Sequence, residues 1–247
     1  MVSSTTVPRS PDGVPPSGVL ERALLVLACF TEAAPQLHLR ELASLSGLDK
    51  ATLLRMLGTL AAHGYVRRQE DGRYAPGPAV LRLASLYNAT TGFDARMMAV
   101  LKGVMQRTEE SAAFYRRDGM DRVCVCRVNA PRALRHQVEV GERLPLAAGG
   151  GAAHVLLGHT GGRSGAAQKA VAQGWLVTAG ERDAGLASVT MPVFDGDGSF
   201  LGALVVSGPI SRQSEAGFEQ ARGIVAALLR EHGFSAERPA GFRPLPN

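Results

Sequence analysis

Lys50, Thr52, Leu54 and Arg55 stand together at the start of one helical pattern, and Arg67, Arg68 and Arg73 follow on either side of a Glu70-Asp71-Gly72 turn. These residue types do no covalent chemistry, but they can read a polyanion. An arginine fork fits a guanine edge or a phosphate; a lysine or threonine at a helix start fits a phosphate beside the free amides of the first turn. Helical spacing puts Lys50, Ala51, Leu54, Arg55 and Gly58 outward, with Thr52 and Thr59 flanking. Leu54 is the odd member. Facing water it is an exposed apolar group, whereas facing a major groove it can pack on thymine methyls and exclude water. Arg67, Arg68 and Arg73 can reach an adjacent backbone or minor groove. The plainer reading is a solvated basic surface, and a dimer contact could equally bury Leu54.

A second group of residues lies in the C-terminal half. The Gly-rich stretch LPLAAGGGAAH, the strand carrying Cys124 and Cys126, and paired strands carrying Ser188, Thr190 and Ser207 could enclose a pocket. Period-two alternation puts Cys124 and Cys126 on one strand face and Ser188 and Thr190 on another. Two cysteines on one face are not a four-ligand metal site, and no Cys-x-x-Cys pair is present. His136, His154 and His159 lack the spacing of a metal cluster. Neither Gly-rich stretch ends in the Gly-Lys-Ser/Thr of a phosphate loop, and no serine sits in a nucleophile-elbow motif. No catalysis, cofactor or metal is expected.

The elements that must hold these residues can be read from periodicity. Leu20, Ala23, Leu24, Leu27 and Ala28 predict a first helix with that face inward. The stretch LHLRELASLSG predicts a second, ending at Gly47, with Leu39, Leu42 and Ala43 inward. Asp49 can cap a third, whose Leu53, Met56, Leu57 and Leu60 recur at i, i+3, i+4 and i+7 and which stops at Gly64. Two strands, Tyr65 to Gln69 and Arg73 to Ala75, turn at Asp71-Gly72. A helix with Val80, Leu81, Leu83, Ala84, Leu86 and Tyr87 is apolar on more than one side, as a connector covered by a partner chain would be.

Beyond Phe93, a helix from Met97 to Thr108 is expected to bury Met98, Leu101, Val104 and Met105. Strands follow at Ala112–Arg116, Asp121–Asn129 and through ALRHQVEVG. A loop then enters a helix, a short helix ends at Gly174, and LASVTMPVFD and SFLGALVVSGP pair around Gly-Asp-Gly. A last helix spans roughly Gln213 to Glu231. The tail after Gly233 is expected to be frayed.

Whole-chain properties leave this picture standing. Of the residues, 45% are hydrophobic and 20% charged, with a formal net charge of +5, which suits a polyanion partner without requiring one. Three cysteines do not make a disulfide framework in a chain of 247 residues, and no run is apolar enough to span a membrane, so residence in the cytoplasm without membrane contact is expected. The Pro/Ser/Gly-rich residues 1–17 are read as a disordered arm.

The segments VLERALLVLACF, LRELASLSGLDKATLLRMLGTLAAHGYVRRQEDGRYAPG and GLASVTMPVFDGDGSFLGALVVSGPISR, in that order, resemble the IclR family of bacterial transcriptional regulators from about Ser17 to Leu229. The resemblance implies an α/β (α+β) chain: a winged helix-turn-helix DNA-binding domain over 18–77, a linker helix over 78–92, a GAF-like effector-binding domain over 93–233, and a flexible tail over 234–247. It implies a recognition helix starting with Lys50, Thr52, Leu54 and Arg55, and a wing over Arg67 to Arg73. It also implies an effector pocket lined or closed by Leu146 to Gly151 (Leu146, Ala148, Gly149 and Gly150 among them), Glu181, Ser188 and Ser207. The implied partners are an operator, a small-molecule effector such as an organic or aromatic acid, and further copies of the chain as a dimer or dimer of dimers. Most such proteins are repressors.

The departures concern the pocket. Ala147-Ala148-Gly149 stands where many members have His-Ala-Thr, Ala152-Ala153 replaces a Gly-Lys, and the stretch from His159 to Gly174 is short. Either the amides of Gly149 to Gly151 hold a carboxylate, or the pocket is unusually apolar. An effector domain that only oligomerises, on a constitutive or protein-regulated DNA binder, is the alternative.

Overall fold

The computed structural model describes residues 18–91, 94–132 and 138–239. The arm expected over residues 1–17, His136 and the end of the tail lie outside that range. Contacts divide the chain into two units, Met1–Gly92 and Phe93–Asn247.

In the first unit, α1 (Val19–Ala28), α2 (Leu39–Ser46) and α3 (Lys50–Ala62) enclose a small core. Asp49 caps α3 by accepting a hydrogen bond from the Thr52 amide at 2.9 Å, a bond that holds the Asp49 carboxyl below its usual range. Gly47, in the left-handed conformation at φ 68°, ends α2 so that the chain can turn sharply into that cap. Leu53 and Leu57 of α3 are fully buried against Leu42 and Val26. Truncating either leucine to alanine should cost about 2–5 kcal/mol. The strands β1 (Val66–Arg68) and β2 (Tyr74–Pro76) form the hairpin, and Tyr74 also bridges back to Leu37, tying the wing to the segment before α2. The helix α4 (Pro78–Thr91) follows.

The expected inner face of α1 is corrected. Val26 and Cys29 point to the core, while Leu20 and Leu24 are 73% and 57% exposed. This helix carries apolar residues on two sides, and periodicity alone picked the longer stripe rather than the one its neighbours cover.

The second unit is a six-stranded antiparallel sheet in the order β5-β4-β3-β8-β7-β6. Its elements in chain order are α5 (Asp94–Thr108), β3 (Ser111–Asp118), β4 (Asp121–Val128), β5 (Arg143–Pro145), α6 (Gly151–His159), α7 (Gly165–Gln173), β6 (Leu176–Ala179), β7 (Leu186–Phe194), β8 (Phe200–Pro209) and α8 (Glu215–Glu231). α5 and α8 cover one face through Met97, Leu101, Phe114, Val225 and Leu229. α6 covers the other through Ala153, Leu156, Tyr115 and Val205, with α7 behind it.

Several expectations change here. Leu101 and Val104 of α5 are buried as expected, but Met97 and Val100 rather than Met98 and Met105 complete the buried stripe. Of the strand expected through ALRHQVEVG, residues 133–137 lie outside the described range and 138–141 are not extended in the sheet. The pairing strand is β5, two residues later. β6 had no separate expectation, because its four residues carry too short a pattern. The segment after Gly233 is docked rather than frayed as far as it is described: Phe234 is buried and Ser235 pairs with Phe194 through two backbone hydrogen bonds.

Cys124 and Cys126 do not share a face. The pairing of β3 with β4 shifts register between Phe114 and Tyr115, leaving Val125 as an extra residue, so Cys126 joins the α5/α8 core beside Phe114 and Cys124 the α6 core beside Tyr115. None of the three cysteines forms a disulfide, all are buried, and burial pushes the Cys29 thiol up to about 11.

Candidate functional site

On the first unit, the sequence-predicted residues form an exposed set. Lys50 and Arg55 are exposed, Thr52 is half-buried, and Leu54 is 48% exposed although its neighbours Leu53 and Met56 are buried. The alternation is what a helix with one packed face and one open face produces. Arg55 Nη2 lies 3.5 Å from Thr52 Oγ1, at the limit of a hydrogen bond, so the guanidinium rests along the first turn of α3.

On the wing, Arg67 and Arg68 are exposed, and Arg68 lies over the Tyr74 ring at 5.8 Å. Arg73 is held more tightly. Its Nε donates to His38 Nε2 at 3.3 Å and lies 3.4 Å from an Asp71 carboxylate oxygen. His38 is a member of this surface that sequence reasoning missed. Its signal was the Leu37–Tyr74 pairing, a contact between segments far apart in the chain.

The second unit holds a crevice of about 50 Å³ between the sheet and the N-terminal end of α6. Of the candidate effector residues, Gly150, Glu181, Ser188 and Ser207 line it. Cys124, Cys126, Leu146 and Thr190 do not; they are buried in the packing behind it. Ala148 and Gly149 sit on the approach, where Gly149 ends a 3₁₀ turn over Leu146–Ala148 with φ 72°. A side chain at Gly149 would meet Glu181, and a Cβ at Gly151 would lie 2.2 Å from Thr190 Oγ1, so the two glycines let the backbone come this close.

Sequence reasoning missed Tyr115, Arg122, Thr178 and Arg182, which also line the crevice. Arg122 is 3% exposed, donates from Nη1 to the Gly149 carbonyl at 2.5 Å, and has no partner for Nε among the described residues. Burial, and then the charge of Arg182, lower its pKa from the usual arginine value. Tyr115 lies under it, with the guanidinium 5.8 Å from the ring centre, and burial raises the Tyr115 pKa. Alternation along β4 could have flagged Arg122, since it shares the buried phase of Cys124, a phase that charged residues seldom occupy.

Glu181 closes one side. Its carboxylate is 2.5 Å from His154 Nε2 on α6. On the opposite wall Thr178 Oγ1 and Ser188 Oγ share a hydrogen bond at 3.0 Å, and Ser188 faces Ser207 across the β7–β8 ladder. Together these groups offer one buried cation, uncapped helix amides and several hydroxyls. None is paired as a nucleophile with a base.

The three-helix unit with its hairpin and the separate α/β unit define a winged helix-turn-helix protein with a second, α/β domain. Residues 19–70 match the IclR helix-turn-helix domain and residues 165–231 the bacterial transcriptional regulator IclR C-terminal region. The chain belongs to the IclR family of transcriptional regulators, which are DNA-binding proteins rather than enzymes.

Among relatives, it is 26% identical over 227 residues to the Pca regulon regulatory protein of Pseudomonas putida, covering 81% of this chain and 77% of that one. It is 28% identical to the regulator XynR of Escherichia coli over 51% of each chain, and 30% identical to KipR of Bacillus subtilis over 49% of each. The chain thus spans about half the length of these last two relatives. In fold it is similar to the Thermotoga maritima IclR structure, with TM-score 0.66 at 19% identity, covering 87% of this chain and 96% of that one. It is similar also to an IclR homolog from Microbacterium hydrocarbonoxydans complexed with 4-hydroxybenzoate, with TM-score 0.64 at 17% identity over 85% of this chain and 97% of that one.

Proposed function

We propose that this chain binds an operator in double-stranded DNA through the exposed start of α3 and the wing, and that a small organic acid held in the crevice of its GAF-like second unit changes its operator affinity, most simply as a cytoplasmic repressor. The observation that carries the DNA reading is the open face of α3, where Arg55 and the 48% exposed Leu54 stand side by side opposite the buried Leu53, Met56 and Leu57. A groove reader needs that combination: Arg55 supplies hydrogen bonds to a base edge or phosphate, Leu54 packs against thymine methyls, and Lys50 and Thr52 anchor the helix start on phosphate. Arg67, Arg68 and Arg73 of the wing supply flanking contacts.

The crevice supports the second half of the reading, and so does the Microbacterium homolog that was solved with an organic acid. The exposed apolar residues of α4, Leu81, Leu83, Leu86 and Tyr87, suit burial against a second copy in a dimer or dimer of dimers. The crevice's small size favours a second reading, in which the C-terminal unit only oligomerises. A ligand-dependent operator affinity separates the two.

The DNA assignment is tested by titrating an operator selected from a randomised duplex pool, at fixed and stated salt, with the wild-type chain and Arg55→Ala. Loss of one base or phosphate contact should weaken binding by about 1–3 kcal/mol while leaving the oligomer intact. Wild-type affinity in the variant would remove Arg55 from the interface.

A further inference from the structure

Resting on the reading of α3 and the wing as a DNA surface, we propose that His38 is a positioning residue of that surface. It anchors Arg73 by its Nε and leaves the two terminal nitrogens of the guanidinium free for a phosphate of the flanking DNA backbone.

The pair is built into the backbone. Leu37 and Tyr74 exchange two backbone hydrogen bonds, at 2.9 and 2.8 Å, so the segment before α2 runs antiparallel to the start of β2. Both side chains are buried, at 5% and 6% exposure, and alternation turns their neighbours His38 and Arg73 outward and opposite each other. Across that pair Arg73 Nε donates to His38 Nε2 at 3.3 Å, which requires that His38 Nε2 carry no proton. His38 is fixed at its own end as well. It stands at the N-cap of α2, and its amide donates to a Glu41 carboxylate oxygen at 2.7 Å.

The effect on Arg73 follows from which nitrogen is held. His38 and Asp71 both engage Nε, whereas Nη1 and Nη2 have no partner among the described residues and the side chain is 47% exposed. The other two wing arginines are held less: Arg68 rests over the Tyr74 ring, and Arg67 makes no hydrogen bond or ion pair among the described residues. An arginine that is already oriented loses less rotamer freedom when it takes a phosphate. Arg73 is thus the pre-set contact of the wing. Asp71 alone does not set its direction, because it lies two residues away on the same turn, where its carboxylate also accepts the Arg73 amide at 3.0 Å. Only His38 ties the guanidinium to α2, the helix that leads into α3. Without it, Asp71 would draw Arg73 back along the hairpin.

The test is a double-variant cycle on the full chain, read by fluorescence anisotropy of the selected operator across a salt series. His38→Ala and Arg73→Gln should each weaken binding by about 2- to 10-fold and make the slope of log affinity against log salt shallower by about one. The double variant should bind no more weakly than Arg73→Gln alone. His38→Gln, which offers an amide oxygen in place of Nε2, should restore the wild-type affinity and slope. Circular dichroism establishes that each variant is folded; if His38→Ala is not, His38→Leu takes its place. Losses that add in the double variant would overturn the assignment, since His38 would then act on the DNA or the fold without Arg73. Unchanged affinity in His38→Ala, or His38→Gln as weak as His38→Ala, would overturn it too. A wild-type chain that binds no duplex of the pool would remove the DNA reading along with this one.

Discussion

At the scale of single residues, two buried polar groups in the second unit behave differently because of their surroundings. Arg122 lines the crevice with no partner for Nε among the described residues, whereas His159 is enclosed: it stacks on Phe200 at 4.8 Å, meets Phe194 edge-on, and bonds through Nδ1 to the Val155 carbonyl at 2.9 Å. Burial lowers the His159 pKa below its ordinary 6.5, with the Arg238 charge acting in the same direction and the Val155 bond against it. A histidine with a depressed folded pKa contributes stability that is complete above 6.5, declines as pH falls through that value, and is gone below the depressed one. Thermal melts should therefore show the wild-type chain losing stability between pH 7.5 and 5.5 by up to about 1.4 kcal/mol per pH unit. In His159→Phe, which keeps the ring packing, that slope should be flatter. Equal slopes would mean that the fold does not lower the His159 pKa.

At the scale of elements, α3 was legible in full. Asp49, Leu53, Met56, Leu57 and Gly64 are local signals, and local signals fixed the cap, the buried face and the stop. Register was not legible. The shift at Phe114/Tyr115 that sends Cys124 and Cys126 to different cores depends on how two strands pair, which one strand's alternation does not contain. Arg122 was legible only in part: alternation puts it in the buried phase of Cys124, but only the arrival of α6 and the loop at Gly149 turns that position of β4 into a cavity wall. The exposed apolar side of α4 was legible as a surplus of apolar residues, whereas that of α1 had the spacing of an inner face and is exposed at Leu20 and Leu24. If a second copy covers α4, Leu83→Glu with Leu86→Glu should shift the particle toward monomer in light scattering coupled to size exclusion. An unchanged mass would show that α4 is not the dimer surface.

For the whole molecule, regulation requires two separate units to cooperate: one carries the open face of α3, the other the crevice lined by Ser188 and Ser207. Coupling between such sites is a free energy, typically a 5- to 150-fold change in one affinity when the other site is filled. Nothing in either unit alone creates it, so the pair must be measured together. The direct measurement is fluorescence anisotropy of the selected operator at fixed salt, with and without a saturating small carboxylate chosen because it raises the melting temperature of the wild-type chain, on the wild type and on Ser188→Trp, which fills the crevice. Operator affinity should change by about fivefold or more with that acid in the wild type, and not at all in Ser188→Trp. An operator affinity that stays the same while the acid is demonstrably bound would contradict the proposed regulation.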